Sequence, residues 1–410
     1  MHRFVVFGIM LLVLLVTPVV AAGEPIWVVH AVGTEIPAGI AVSANGTYVA
    51  VGGDRISVYS RAGEKIWGGF QATELVFSPQ GEYLVAATDG GVRFLLPTGR
   101  SLWNDDERAP CTDIAVSRDG DYVAAATGKG AVLYNSAGEV LGRNATIQPI
   151  SIGVSRDGTL VAVGTKDRIA LANRSMEPLW EYAPYGSVSE IFYSSSPPMI
   201  LASADNGLFA LHPSGSLLWQ FLARDTIGDF AVSADALSIV VGSRDGSISL
   251  LNNGGQTIWE RQSGDWVTHV DISQDGSFIA AGGNARRILL FARNGTALMD
   301  TPVNGWVRGI ALSQEGDYLG VTVGDGNTYL FSTTPSVSPT PSVAPSPSGT
   351  TPSPTVSPPP EETMTQATPN TSVTTVVTPV PVTTPRAGAP AAMLVPIFGA
   401  VLAVRIWRKF

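Results

Sequence analysis

The sequence predicts an all-β fold in which eight small sheets of four strands close into a ring, and three observations predict it. A segment of 35 to 40 residues recurs eight times along the 410-residue chain. Each copy holds four short apolar runs separated by turns rich in aspartate and glycine. The last copy lacks its final strand, and a matching strand stands near the N-terminus instead. Sheets of this length arranged in a circle form an eight-bladed β-propeller.

A recurring serine follows the first strand of every copy. In the first copy the residues IAVS alternate large and small side chains, and in the third a turn at Arg118-Asp119-Gly120 reverses the chain. A second strand such as YVAAA, a third such as ISVYS and a fourth ending in Ile-Trp or Leu-Trp complete the unit. Such a sheet has two apolar faces, so neighbouring copies must cover it. The serines are Ser43, Ser78, Ser117, Ser155, Ser194, Ser233, Ser273 and Ser313.

The two ends of the repeat predict how the ring closes. The eighth copy stops at Tyr329-Leu330-Phe331 and lacks the closing Ile-Trp strand. That strand is found as Pro25-Ile26-Trp27, near the start of the chain. We therefore expect the N-terminal strand to complete the last blade. An open solenoid is the alternative, and it would need distinct polar caps.

These repeats resemble two known propeller classes. The stretch SRDGDYVAAAT resembles WD-repeats, whereas NGLFALHPSGSLLWQ and DGSISLLNNGGQTIWE resemble the repeats of quinoprotein-type propellers, in which a terminal tryptophan docks on the next blade. The resemblance covers about residues 25–331. It implies the fold and no single activity, because propellers serve as enzymes, scaffolds and binding modules. Quinoprotein dehydrogenases typically use adjacent cysteines at their cofactor, and Cys111 is the only cysteine, so the resemblance does not bring PQQ with it. We interpret Cys111 as a small buried residue.

The flanking segments predict an extracellular propeller. Residues 1–22 combine a short basic start, an apolar run and small residues at the end, as a cleaved secretory signal does. An uncleaved anchor helix is the alternative. The propeller is expected over residues 23–331, and a Pro/Thr/Ser-rich stalk over residues 332–386. The stalk either lifts the propeller through a surface layer or is a passive disordered linker.

Beyond the stalk, residues 387–404 are predicted to form one transmembrane helix, and the basic residues 405–410 to stay in the cytoplasm. A Thr/Pro stalk, a short apolar helix and a basic end resemble the C-terminal sorting regions of archaeal surface proteins, especially those of methanogens. Their Pro-Gly-Phe processing motif is absent, and Arg-Ala-Gly-Ala-Pro stands in its place at residues 386–390. We therefore expect retention as a membrane helix rather than cleavage.

Charge and glycosylation motifs bear on the partners. The net charge of −9 argues against nucleic acid, which requires a basic surface. An extracellular protein or polysaccharide is the expected partner. Sequons for N-glycans occur at Asn45, Asn144, Asn173, Asn294 and Asn370.

One row of the repeat predicts a candidate cation site. The residue just before the leading apolar position of each first strand is Gly39, Glu74, Asp113, Ser151, Glu190, Asp229, His269 and Gly309. Because the first strand of a propeller blade is innermost, we expect this row near the central channel. Carboxylates gathered there focus negative potential, so Glu74, Asp113, Glu190 and Asp229 are candidate metal ligands, Ca²⁺ being the possible ion, with His269 and Asp271 as candidate ligand-binding residues. A hydrated channel lining with separated charges is the alternative.

Two tryptophans depart from the repeat. Trp266 and Trp306 occupy equivalent positions in the loops entering the seventh and eighth copies. Adjacent loop tryptophans form a platform for a sugar or peptide, although packing within their own blades is the alternative. With no nucleophile motif or paired-histidine metal signature, we interpret the chain as a non-enzymatic binding module. The alternatives are an extracellular lyase or hydrolase using the acidic channel with His269, or a cation-binding propeller.

Overall fold

The computed structural model describes residues 23–31, 37, 39–78, 80–105 and 109–333. Within these residues the chain folds into eight antiparallel sheets of four strands each, which confirms the predicted all-β, eight-bladed propeller. No helix among them is long and apolar enough to cross a membrane. The predicted signal segment, the predicted membrane helix, the cytoplasmic tail and nearly all of the stalk lie outside the described residues.

Each blade runs from an innermost to an outermost strand, and the first four blades are continuous in sequence. The strands of blade 1 are β2 (Gly39–Val42), β3 (Tyr48–Gly52), β4 (Ser57–Ser60) and β5 (Lys65–Gly68). Those of blade 2 are β6 (Glu74–Phe77), β7 (Leu84–Thr88), β8 (Gly91–Leu95) and β9 (Ser101–Asn104). Those of blade 3 are β10 (Cys111–Val116), β11 (Tyr122–Thr127), β12 (Gly130–Asn135) and β13 (Val140–Asn144). Those of blade 4 are β14 (Ser151–Val154), β15 (Leu160–Gly164), β16 (Ile169–Asn173) and β17 (Pro178–Tyr182).

The next three blades repeat this order, and the eighth takes its outer strand from the N-terminus. The strands of blade 5 are β18 (Val188–Ser195), β19 (Pro198–Ala204), β20 (Gly207–Leu211) and β21 (Leu217–Leu222). Those of blade 6 are β22 (Ile227–Val232), β23 (Ser238–Ser243), β24 (Ser247–Asn252) and β25 (Thr257–Gln262). Those of blade 7 are β26 (Val267–Ile272), β27 (Phe278–Gly283), β28 (Arg287–Ala292) and β29 (Ala297–Pro302). Those of blade 8 are β30 (Val307–Leu312), β31 (Tyr318–Val323), β32 (Asn327–Ser332) and β1 (Pro25–His30).

The N-terminal strand closes the ring, as the sequence predicts. β1 pairs antiparallel with β32, with Val28 opposite Tyr329 and His30 opposite Asn327. Trp27 then reaches into blade 1, where its indole Nε1 donates a hydrogen bond to the carbonyl of Arg61 at 3.0 Å. A single strand therefore ties blade 8 to blade 1.

The recurring serine has a structural role that the sequence did not predict. In seven blades its buried hydroxyl accepts a hydrogen bond from the backbone N–H five residues later, which fixes the turn between the first two strands. In blade 1, for example, the Tyr48 N–H donates to the Ser43 hydroxyl at 2.9 Å. Blade 5 has a different turn, since Ser194 lies opposite Met199 in a longer first hairpin.

Outer tryptophans dock six of the blades on the next blade, as the resemblance implies. At six interfaces the indole N–H donates to a backbone carbonyl in the turn before the next blade's outer strand, and the ring covers a glycine of that turn. These glycines have positive φ, a conformation that side chains rarely adopt. The pairs are Trp27–Arg61, Trp67–Pro97, Trp103–Ser136, Trp180–Pro213, Trp219–Asn253 and Trp259–Arg293.

The interface between blades 3 and 4 reverses this arrangement. Gly142 stands opposite Leu133, where blade 4 has Trp180 opposite Leu171. A Cβ at Gly142 would overlap the carbonyl oxygen of Arg174, so the turn of blade 4 lies directly on the glycine. Met176 replaces the turn glycine with φ of 66° and packs its buried side chain in the core shared by the two blades. At this interface the large side chain therefore belongs to the later blade, whereas at the six tryptophan interfaces it belongs to the earlier one.

Candidate functional site

The row of residues predicted near the channel is buried at the interfaces between inner strands. Glu74, Asp113, Ser151, Glu190, Asp229 and His269 all belong to the buried polar residues of the propeller. In blades 3, 5, 6, 7 and 8 a β-bulge precedes this position, which turns the side chain at the start of the inner strand. The row therefore does not line an open channel as free side chains.

Side chains of this row bind the backbone of the following blade. The Ile114 N–H donates to the Glu74 carboxylate at 3.0 Å, and the Ile152 N–H donates to the Asp113 carboxylate at 2.7 Å. The Ser151 hydroxyl accepts from the Ile191 N–H in the same way at 2.9 Å.

The pattern continues on the other side of the ring. The Val270 N–H donates to Asp229 at 3.0 Å, and the Leu312 N–H donates to Asp271 at 2.7 Å. In blade 7 the acceptor is thus Asp271 rather than His269. The buried Nε2 of His269 has no hydrogen-bond partner among the described residues. These contacts give the acidic residues a definite role in joining adjacent blades.

Glycines occupy the row where the ring closes. A Cβ at Gly309 would lie 2.9 Å from the Thr322 hydroxyl and 3.3 Å from Ile40. Gly309 and Gly39 therefore allow the inner strands of the last and first blades to approach more closely than a side chain permits.

Asp229, His269 and Asp271 form an inner cluster in blades 6 and 7, and their burial changes their protonation. Burial raises the pKa of Asp229 and of Asp271 to about 8, against the opposing effect of their backbone donors. Burial, together with the nearby Arg308 guanidinium, lowers the pKa of His269 to about 4. Near neutral pH the two carboxyls are thus largely protonated and His269 is neutral, which weakens the attraction for a cation.

No group of three His, Cys, Asp or Glu side chains positioned to hold a metal ion occurs in the part of the chain that the structure describes. The candidate ligands Glu74, Asp113, Glu190 and Asp229 belong to four different blades. The proposal that they bind Ca²⁺ stays a prediction.

A pH-dependent stability follows from the same cluster. Asp229 and Asp271 hold protons in the folded chain that the unfolded chain loses above about pH 4, so their contribution to stability disappears as the pH rises towards 8. His269 acts in the opposite direction, but only between about pH 4 and its unfolded pKa near 6.5. We therefore expect the free energy of unfolding to fall by about 3 kcal/mol between pH 6.5 and 8.

Urea unfolding at the two pH values measures this change. The free energy of unfolding of the Asp271→Asn variant should fall less over this pH range. Replacing the exposed Asp167 with asparagine should leave the size of the fall unchanged. Constant or increasing stability of the unmodified chain over this range would contradict the assignment.

Cys111 lies where the sequence interpretation expected it, in a buried position. Its side chain is 2% exposed at the start of β10, at the position that Val188, Ile227 and Val267 occupy in other blades. Burial raises the pKa of its thiol, and the carboxylates of Glu74 and Asp113 add to that effect. The thiol is therefore a poor nucleophile.

The two repeat-breaking tryptophans lie on one face of the propeller. This loop face consists of the loops that lead from each outer strand to the next inner strand, together with the turns between the second and third strands. Trp266 and Trp306 are each 45% exposed there, just before β26 and β30. Their carbonyls accept hydrogen bonds from the Asn284 and Gly324 N–H groups of the neighbouring turns, at 2.9 Å and 2.8 Å.

An arginine covers part of each of these rings. The Arg244 guanidinium lies 5.2 Å from the Trp266 ring centroid, and the Arg308 guanidinium lies 5.8 Å from that of Trp306. Such cation–π contacts hold flexible arginines near the indoles. Each tryptophan is therefore paired with one arginine, Arg244 from the turn between β23 and β24 and Arg308 from β30. The sequence singled out the tryptophans, but only the structure shows the arginines beside them.

The predicted glycosylation sequons differ in their surroundings. Asn45 and Asn294 lie exposed in turns, where their side-chain Oδ1 atoms accept hydrogen bonds from the backbone N–H groups two residues later. The Asn144 side-chain amide donates to a carbonyl of the next blade at 3.1 Å, and that of Asn173 donates within its own turn at 2.9 Å. Asn370 lies outside the described residues.

Two family models match parts of the chain. One, described as "Outer membrane protein assembly factor BamB", matches residues 15–147, and the other, described as "WD domain, G-beta repeat", matches residues 256–291. No curated protein matches.

Solved structures share the fold at low sequence identity. The C-terminal WD40 domain of Sif2 aligns with a TM-score of 0.67 at 15% identity, covering 77% of this chain and 99% of that one. The computationally designed Ika8 protein aligns with a TM-score of 0.62 at 17% identity, covering 73% and 97%. Chaetomium thermophilum Sqt1, bound to the N-terminus of ribosomal protein L10, aligns with a TM-score of 0.61 at 16% identity, covering 73% and 98%. The chain is thus a WD40- and PQQ-like eight-bladed β-propeller.

Proposed function

We propose that the chain is a non-enzymatic binding module that presents its propeller outside the cell and binds a protein through the loop face of blades 7 and 8. The observation that carries this proposal is the pair of half-exposed tryptophans, Trp266 and Trp306, on adjacent blades. Arg244 and Arg308 accompany them. Tryptophan and arginine are enriched among the residues that dominate protein–protein binding energy.

The geometry gives less support to an enzyme. An extracellular lyase or hydrolase using the inner cluster would need His269 and Asp271 to reach a substrate, yet both are 4% exposed. Asp271 already accepts hydrogen bonds from two backbone N–H groups. The inner cluster is better suited to joining blades than to acid–base chemistry, so we propose no cofactor.

The similar folds support a protein as the partner. WD40 propellers commonly serve as protein-interaction modules, and the Sqt1 structure contains the N-terminus of ribosomal protein L10. This likeness bears on the type of partner, whereas the ribosomal ligand belongs to Sqt1.

The location is a further part of the proposal. An N-terminal secretory signal, a stalk of Pro, Thr and Ser, and a C-terminal apolar segment followed by a basic end support a single-pass protein with its propeller on the outer surface. The exposed sequons at Asn45 and Asn294 are compatible with N-glycans there. A tethered propeller would meet partners on its own surface or on an adjacent cell.

The binding face is tested with the full chain and a double variant, Trp266→Ala with Trp306→Ala. Proteins and polysaccharides extracted from the surface of the producing cells are applied to the immobilised chain, and each bound species is quantified. We expect the double variant to lose at least about tenfold in affinity for a specific protein, because removing a tryptophan that dominates an interface costs about 2 kcal/mol or more. Its melting temperature should stay within a few degrees of the original.

Tyr185→Ala is the matched control, since Tyr185 is 90% exposed in the loop entering blade 5 and should leave binding unchanged. If the double variant lost binding of a polysaccharide instead of a protein, the partner would be a sugar polymer and the proposed protein partner would be wrong. Unaltered binding by the double variant would eliminate the tryptophan face as the site.

A further inference from the structure

The outer strand of blade 5 differs from the outer strands of the other blades in its composition. β21 reads LLWQFL and contains no charged residue, histidine or proline. It is the last strand of its sheet, so its outer edge pairs with no other strand among the described residues. An exposed sheet edge offers unpaired backbone donors and acceptors to another strand.

The other seven outer strands carry features that discourage such pairing. β5, β13, β25 and β29 contain charged residues, β17 contains a proline and a glutamate, and β1 contains a proline and a histidine. β9 has only four residues and is flanked by Arg100 and Asp105. Charges, prolines and short length are the means by which natural sheets protect their edges. β21 has none of these three features, and the β-bulge between its residues Leu217 and Trp219 is shared with the other outer strands.

On the exposed side of β21 the order of the side chains is the same from either end of the strand. Leu218, Gln220 and Leu222 alternate along the strand and are all exposed, the two leucines by 49% and 58%. If two copies paired antiparallel about Gln220, each Leu218 would lie opposite Leu222 of the second copy. The two Gln220 amides would face each other at the centre. On the opposite side Trp219 would lie across from Phe221.

We propose that β21 is a homodimerisation edge, through which two copies of this chain pair their fifth blades into one eight-stranded sheet. A two-fold axis requires a surface that is complementary to itself, and the palindromic order of side chains meets that requirement. The absence of charge on β21 also removes the local like-charge repulsion that cross-strand pairing would otherwise meet. A charged extended peptide would find no opposite charge on this strand.

The dimer is expected to be weak. A single six-residue edge is small beside the roughly 1,200–2,000 Å² that specific, stable interfaces bury. Covalent trapping is therefore the appropriate assay, and the chain suits it, because its only cysteine is buried.

The test introduces Gln220→Cys into the full chain, followed by mild oxidation and non-reducing gel electrophoresis. Directly opposed residues of an antiparallel pair have Cα atoms about 4.5–5.5 Å apart, within the range that a disulfide spans. We expect a disulfide-linked dimer from this variant. Glu260→Cys, at the equivalent exposed position of β25, is the matched control and should stay monomeric.

A second substitution separates strand pairing from random collision. Adding Leu218→Lys to Gln220→Cys should reduce the trapped dimer at least tenfold, whereas adding Ile258→Lys, at the equivalent 52%-exposed position of blade 6, should not. Circular dichroism confirms that each variant stays folded. Equal trapping by Gln220→Cys and Glu260→Cys, no dimer from Gln220→Cys, or trapping that survives Leu218→Lys would each overturn the proposal.

Discussion

Replacing Trp27 with alanine is expected to lower the free energy of unfolding by about 3 kcal/mol, because it removes a large docked aromatic side chain from the strand that closes the ring. The Trp27 ring lies 5.7 Å from that of Tyr59, and its indole N–H is bound to blade 1. It also covers the positive-φ turn at Gly63. The loss should appear in urea unfolding of the full chain.

Ile26→Ala is the control for this prediction. Ile26 belongs to the same strand but is exposed, so its removal should change stability by only about 0.5 kcal/mol. Hydrogen exchange adds a local readout, since β1 and β32 should lose protection in Trp27→Ala before other blades do. Similar effects of the two substitutions would show that Trp27 does not hold the ring closed.

The second large effect is expected at the reversed interface between blades 3 and 4. Gly142→Trp should destabilise the chain by about 3 kcal/mol or more, because the new side chain meets the carbonyl of Arg174. Met176→Gly alone should cost about 2–5 kcal/mol, since it empties a buried position. Together they restore the arrangement seen at Trp180 and Gly215, so the double variant should be more stable than the sum of the two losses predicts.

Urea unfolding of the four members of this cycle gives the coupling energy, which should favour the double variant by about 1–3 kcal/mol. Gly142→Ala compared with Gly90→Ala provides a simpler control, because an added Cβ at Gly90 would meet only the Thr88 hydroxyl at 3.8 Å. Additive losses in the cycle would contradict the exchange of large and small residues between Gly142 and Met176.

Much of the fold was predictable from sequence because each blade repeats the same local signals. The orphan Pro25-Ile26-Trp27 strand predicted the closure, and β1 pairs with β32 as expected. The exchange at Gly142 and Met176 was not predicted, although aligning the fourth strand of every copy shows where a tryptophan is missing. Its compensation depends on a contact between blades, which the order of residues does not reveal.

The candidate site was less predictable. Strand alternation placed Glu74 and Asp113 near the channel. It contained no information on the backbone of the next blade, whose N–H groups donate hydrogen bonds to these carboxylates. Trp266 and Trp306 were identifiable because they interrupt the repeat. Their exposure and the position of Arg244, which comes from a turn of blade 6, depend on contacts between blades, and those required the structure.

The central claim is that eight blades close into a ring through the N-terminal strand. A cysteine pair at Val28 and Tyr329, in a Cys111→Ala background, tests it most directly, since these residues are cross-strand partners in blade 8. Mass spectrometry after oxidation should find one intramolecular disulfide joining the peptides that contain positions 28 and 329. Two free thiols, or a disulfide only between separate chains, would contradict the closed ring.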